Sequence, residues 1–241
     1  MHHIMECIQK FQALNQQLEN IKQEVVKNTS LDYRSQDARL VALDSIQMNM
    51  AATAMWINGL NSLANFCTDD GIFNKNQFLN SVGSGLELAE TEVEMFKVLK
   101  LGHITLIHFK IENLFQILCT HLKLLSEKEK KCGFWRLTEI IYKACKISDG
   151  DSRKSLMALT QIRNSLHNNG VHRHPSLDLQ VGQFRYQFVD GELVNCASWE
   201  ALMNLLHFNV IALQEVLLSE EIGKIDGLVI DQFSSQLETL T

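Results

Sequence analysis

From Ile104 to Leu125 one stripe of apolar residues runs through the chain at spacings of three and four: Ile104, Ile107, Ile111, Leu114, Leu118, Leu122 and Leu125. That period belongs to one face of an α-helix, and a face this long cannot be left in water. The segment 86–125 therefore predicts a long helix that needs partners along its length, with Gly102 as a place where it kinks or divides. The rest of the chain supplies such partners. Ile4, Ile8, Phe11, Leu14, Leu18, Ile21 and Val25 mark a helix over 4–27. Further helical patterns cover 36–66, 134–147 and 152–168, and Ala51, Ala52 and Ala54 in the first of these would let another helix approach closely. The segment 67–85 reads as a loop, a short helical piece and the turn Val82-Gly83-Ser84-Gly85. Only one proline stands among the 241 residues, so little in the chain opposes long helices.

The period changes once. Phe184, Tyr186 and Phe188 alternate with Gln183, Arg185 and Gln187, as on a strand with one buried face. Asp190-Gly191 is a favourable two-residue turn, which predicts a hairpin over 180–196. Ser198 then caps a last helix whose inner face is Trp199, Leu202, Leu206, Val210, Leu213 and Val216. The expected fold class is all-α: an up-down helical bundle with a small β-hairpin inserted before the last helix. A single helical domain over 1–241 is expected, with N-terminal helices over 1–85, a core over 86–218 that contains the hairpin, and a tail over 219–241.

A net charge of −6 excludes a general polyanion binder, but the charge is uneven. Residues 128–174 hold ten Lys/Arg against four acids, a net of +6, so the remainder carries −12. Six cysteines lie scattered without a C-x-x-C pair, and Cys7, Cys119 and Cys145 sit in helical patterns. They read as reduced thiols, and no Cys/His set has metal-ligand spacing. No secretory signal and no apolar run near the ~20 residues of a membrane span is visible, so a soluble, cytoplasmic protein without a metal or cofactor is expected. The nucleotide-binding and hydrolase motifs G-x-x-x-x-G-K, G-x-G-x-x-G, G-x-S-x-G and H-E-x-x-H are absent.

The basic segment contains "TQIRNSLHNNGVHRHP", residues 160–175. Arg163 and His167 are four apart and share a helix face, with Asn164 beside them. A guanidinium there offers a planar fork to phosphate oxygens. An imidazole can take a proton from a ribose 2′-hydroxyl or give one to the leaving oxygen. The same residues also read as an ordinary helix end, with Gly170 in the left-handed conformation and a cation favoured by the helix dipole. Arg153, Lys154, His172, Arg173 and His174 are candidate RNA contacts, the last three alternatively a solvated loop. Arg185 and Tyr186 could touch RNA, although strand alternation alone explains them. His108 and Glu112, also four apart, are either a surface or half-buried polar pair or a pair that brings Glu112 across the bundle to orient Arg163. His103, His121 and His207 read as helix-face residues.

The "RNSLHNNG" stretch, at a helix end in an all-helical chain, resembles the signature of the HEPN domains. The resemblance covers roughly residues 90–218, and "QFRYQFVDGELVNCASWEALMNLL" is similar to the C-terminal part of some bacterial members. It implies a homodimer with both motifs at the interface, which supplies a second imidazole. It also implies metal-independent RNA cleavage that leaves a 2′,3′-cyclic phosphate, in toxin, phage-defence or RNA-processing systems. Arg163 and His167 would be catalytic, Asn164 would orient them, and a partner protein such as an antitoxin is a further expectation. Three residues separate Arg163 from His167, where the family pattern has four to six. The alternative is therefore a non-catalytic helical dimerisation or interaction module, antitoxin-like or a scaffold.

Overall fold

The computed structural model describes residues 2–66 and 88–231, in which the apolar stripes become the inner faces of seven helices. They are α1 (His2–Thr29), α2 (Ala38–Phe66), α3 (Leu88–His121), α4 (Phe134–Ala144), α5 (Asp151–Leu166), α6 (Trp199–Leu217) and the one-turn α7 (Glu220–Gly223). Between α5 and α6 stands one antiparallel pair, β1 (Leu177–Val181) and β2 (Phe184–Phe188). The loop, short helical piece and turn expected over 67–85 lie outside the described residues, as does Cys67. No described helix is long and apolar enough to cross a membrane.

Helix α1 packs on α2 and α6, α2 on α3, and α5 joins α3 to α6. The resulting core is continuous from Phe11 to Val229 and contains Ile104, Ile107, Ile111, Leu114 and Leu118 of the α3 stripe. Gly102 does not divide α3; it lies exposed within one helix, with nothing near where a Cβ would stand. On α2, Ala54 packs against the core, whereas Ala51 and Ala52 face outward. Ser198 caps α6 as expected, its hydroxyl accepting from the Ala201 N–H at 3.2 Å.

The hairpin is displaced from its expected position. The turn is Gly182-Gln183, because Val181 pairs with Phe184 and Leu177 with Phe188. Gly182 has φ +55, and a Cβ there would stand 2.8 Å from Phe208 Cε2, so both backbone and space require glycine. Asp190-Gly191 forms a later turn, closed by the Glu192 N–H on the Val189 carbonyl at 3.0 Å. It returns the chain to His172, with which Gly191 and Glu192 exchange backbone hydrogen bonds of 2.9 Å. The alternation in β2 holds: Tyr186 and Phe188 are buried and Arg185 and Gln187 exposed.

The segment after α6 is tied down. Ser219 caps α7, and the Ala38 N–H donates to the Val229 carbonyl at 2.7 Å. Asp37 and Arg39, both with side chains fully buried, form an ion pair at 2.8 Å. Arg39 also donates to the Gly227 carbonyl at 3.2 Å, and Asp37 accepts from the Val229 N–H at 2.8 Å. A buried pair whose remaining polar atoms are also used is stable, whereas either partner alone would not be.

Candidate functional site

Arg163 and His167 stand on the last turn of α5. His167 keeps helical backbone angles (φ −67°, ψ −13°), so the two side chains leave the helix one turn apart. The chain then closes the helix by a bond from the Gly170 N–H to the Ser165 carbonyl at 2.8 Å. Asn169 takes the left-handed conformation first (φ 53°) and Gly170 follows (φ 82°), so the stop uses two positive-φ residues rather than glycine alone.

The guanidinium is held on two sides. Arg163 donates from Nη1 to Asn164 Oδ1 at 3.0 Å. Its Cζ lies 4.8 Å from the centroid of the Phe109 ring on α3, within the range of a cation–π contact. Its Nε is buried and has no hydrogen-bond partner. Asn164, like Arg163, is half-buried, while His167 is exposed. No hydrogen bond or ion pair engages the His167 ring among the described residues. The motif is thus an open surface beside α3.

On α3, the buried His108 and the half-buried Glu112 form a polar pair. His108 is 2% exposed, wedged against the Phe134 ring at 4.8 Å. Its Nε2 lies 3.2 Å from Thr160 Oγ1, and that hydroxyl donates to the Leu156 carbonyl at 2.7 Å. The hydroxyl proton is therefore occupied, so His108 donates from Nε2 and leaves a lone pair on Nδ1. Nδ1 has no hydrogen-bond partner, and Glu112 Oε2 is 3.5 Å away. Burial, aided by the Arg163 charge, pushes the His108 pKa down to about 4. Burial raises the Glu112 pKa, opposed by Arg163. The sequence reading of His108 as a surface or half-buried residue is corrected: it is in the core, and its neighbour Glu112 stands at the edge.

The other expected contacts are not gathered here. Arg153 and Lys154 lie at the opposite end of α5, about 15 Å from Arg163 at the rise of an α-helix. Arg153 pairs with Asp149, and Lys154 lies 3.6 Å from Asp151. Acids also neutralise much of the basic segment elsewhere: Arg136 meets Glu129 and Glu139, each at 2.7 Å, and Lys130 meets Glu127 at 2.6 Å. His172 is not a solvated residue and is in no position to touch phosphate. It is 1% exposed, tilts against the Phe188 ring at 5.5 Å, and places Nε2 3.3 Å from the Pro175 carbonyl. The hairpin's return to this point buries it. Arg173 and His174 are exposed, as expected of that loop. Tyr186 is likewise removed from any RNA contact, because it is fully buried and donates to the Ala201 carbonyl at 2.6 Å. Arg185 is exposed but engaged by Asp178 at 2.9 Å.

His103 is buried too, with Nδ1 2.9 Å from Thr53 Oγ1, and burial pushes its pKa down to about 3. Among the described residues no three His, Cys, Asp or Glu side chains are grouped to hold a metal ion. Cys7, Cys119, Cys132, Cys145 and Cys196 are free thiols. A comparison with protein-family models, curated proteins and solved structures finds no match for the chain.

Proposed function

We propose that this protein binds RNA through Arg163 and His167 and cleaves it without a metal, as its resemblance to HEPN domains implies. Arg163 takes the phosphate and stabilises the charge that develops on phosphorus. Asn164 orients the guanidinium, and His167 moves the proton. The observation that carries this reading is the seating of Arg163. Asn164 and Phe109 fix the guanidinium beside an exposed imidazole that nothing else engages. A helix stop alone requires neither contact.

A single imidazole serves poorly as both base and acid, so the reading includes a homodimer that supplies two. Supporting it, Val98, Leu101, Leu106 and Phe109 are exposed on one outer face of α3, and Phe109 borders Arg163. The exposed apolar face also supports the second reading, a non-catalytic module that docks a partner helix. Location in the cytoplasm and a role in toxin, phage-defence or RNA-processing systems belong to the same proposal.

The test is incubation of the purified protein with RNA in EDTA. Wild type is expected to leave 2′,3′-cyclic phosphate ends, with Arg163→Ala and His167→Ala each slower by at least about a hundredfold. No cleavage by any of the three, or equal cleavage by all, removes the catalytic reading and leaves the docking module.

A further inference from the structure

Helix α2 carries two seams, and the fold covers one of them. Ile46, Met50, Thr53 and Ile57 recur at spacings of four, three and four, and all are buried in the core that α2 shares with α1 and α3. On the opposite face Met48, Ala52, Met55 and Gly59 recur at the same spacings, and all are exposed. Met48 and Met55 are 73% and 74% exposed, and Trp56 beside them 60%. This spacing is the repeat by which one helix meets another along its length. No charged residue follows Asp44 in α2, and Asp44 is itself paired with Lys22 at 2.6 Å. A helix face that serves only to meet water carries charged and polar residues.

Gly59 has no task within one chain. Among the described residues nothing lies within 4 Å of the place its Cβ would take. Glycine inside a helix is unfavourable relative to alanine, and close approach of another backbone is one of the few reasons to keep it.

We propose that the outer face of α2 docks the same face of a second copy of this chain, the two helices antiparallel about a two-fold axis between Thr53 and Ala54. In that register Met48 meets Gly59 of the second copy, and Ala52 meets its Met55. The symmetry repeats both layers, so each layer joins one large residue to one small one. Parallel helices would set methionine on methionine and glycine on glycine, alternating crowding with voids. A two-fold contact requires a patch that fits itself, and an uncharged face does so without opposing like charges. A foreign partner helix is ordinarily selected by charges that flank such a seam, and a membrane-surface helix by Lys and Arg on its polar face. After Asp44, α2 offers neither.

From Met48 to Gly59 the seam is about 17 Å long at the rise of an α-helix. Such a contact falls among the small interfaces, below about 1,200 Å² in total, so the association is weak and set by concentration. Packing on α1 and α3 already holds α2 in place, so docking carries no cost of forming the helix. Arg163 rests on Phe109 of α3, so this contact is separate from one that joins two α5 ends, and it stands without the RNA reading.

The experiment is sedimentation equilibrium of the full chain across the micromolar range, with Ala52→Lys and Met55→Glu alone, mixed, and combined in one chain. Both positions are exposed and both new residues favour helix, and thermal melts check that each variant folds. Wild type should self-associate. Each single variant should lose at least about tenfold in association, because it places a charge in an apolar layer. The equimolar mixture should regain association, since one central layer is then native and the other pairs lysine with glutamate. The double variant should also regain it, whereas parallel helices would oppose like charges in both layers. Gly59→Ala should raise the melting temperature of dilute protein yet weaken association, a split that a role inside one chain does not produce. A chain monomeric throughout that range overturns the proposal, and flotation of that monomer with phosphatidylcholine vesicles would assign the face to a membrane instead. Association that neither single variant weakens overturns it too and lies on another face, and loss without rescue overturns the antiparallel register.

Discussion

At the start of α2, Asp37 and Arg39 are completely buried, and the carboxylate and guanidinium meet each other or a backbone group of the 222–229 segment. Between α3 and α5, His108 is buried while Glu112 and Arg163 are half-buried, and the buried atoms His108 Nδ1 and Arg163 Nε have no hydrogen-bond partner. The contrast separates two uses of buried charge. A pair satisfied on every side fastens one part of the chain to another. A cluster left short by one proton or one anion carries a standing cost, and that cost falls when the missing group arrives. The first arrangement is structural, and the second is where a ligand or a proton belongs.

The largest effect that checks this contrast is in the fastening. Arg39→Met leaves the Asp37 carboxylate buried without its counter-charge, and should lower unfolding free energy by about 3–5 kcal/mol. Urea denaturation measures it. Arg163→Ala should cost less in the same assay, about 1–2 kcal/mol, because that half-buried side chain contributes one hydrogen bond to a neutral amide and one ring contact. Equal losses would abolish the distinction between the two clusters.

Acid separates the two regions again. His103 and His108 have pKa values pushed down by burial to about 3 and about 4, below the ordinary 6.5. The unfolded chain then binds protons that the folded chain refuses. Stability contributed this way is complete above pH 6.5 and is lost as pH falls toward the folded values. At pH 5 each histidine should have cost about 2 kcal/mol relative to pH 7.5. Urea midpoints at the two pH values check it, with His103→Gln and His108→Gln each removing part of the loss. A stability flat between pH 7.5 and pH 5 would mean that neither ring is held neutral.

Periodicity made most of the fold readable. The stripe on α3, the inner face of α6 and the alternation of β2 are local patterns, and one residue's burial predicts that of the next on its face. What escaped reading was set by distant partners. Asp190-Gly191 is the stronger turn signal by composition, but the turn formed at Gly182-Gln183, where close approach to Phe208 admits only glycine. The Asp37–Arg39 pair ties the start of α2 to Gly227 and Val229, about 190 positions away, and nothing near Asp37 announces those bonds. His172 looked solvated among Arg173, His174 and Pro175 until the chain after β2 folded back over it. In the site, Arg163, Asn164 and His167 were legible as neighbours on one helix. The Phe109 contact and the His108–Thr160 bond were not, because they cross from α3 to α5.

The smallest expected effect bears most directly on what the α5 terminus is for. If Arg163 and His167 serve only to end the helix, replacing His167 should cost about 0.5–2 kcal/mol, as the loss of a cap does. The geometry assigns that task elsewhere. The stop is closed by the Gly170 N–H on the Ser165 carbonyl and by left-handed Asn169, while the His167 ring is exposed. His167→Ala should therefore change stability by no more than about 0.5 kcal/mol, as at an ordinary surface position. Asn169→Gly, which relieves the positive φ, should be neutral or slightly stabilising, and Asn169→Val should destabilise, since a β-branched residue resists that conformation. Thermal melts of the three variants order them. A His167→Ala loss as large as that of Asn169→Val would place the imidazole in the helix stop, and the contrast between a fastened and an unsatisfied cluster would no longer extend to the end of α5.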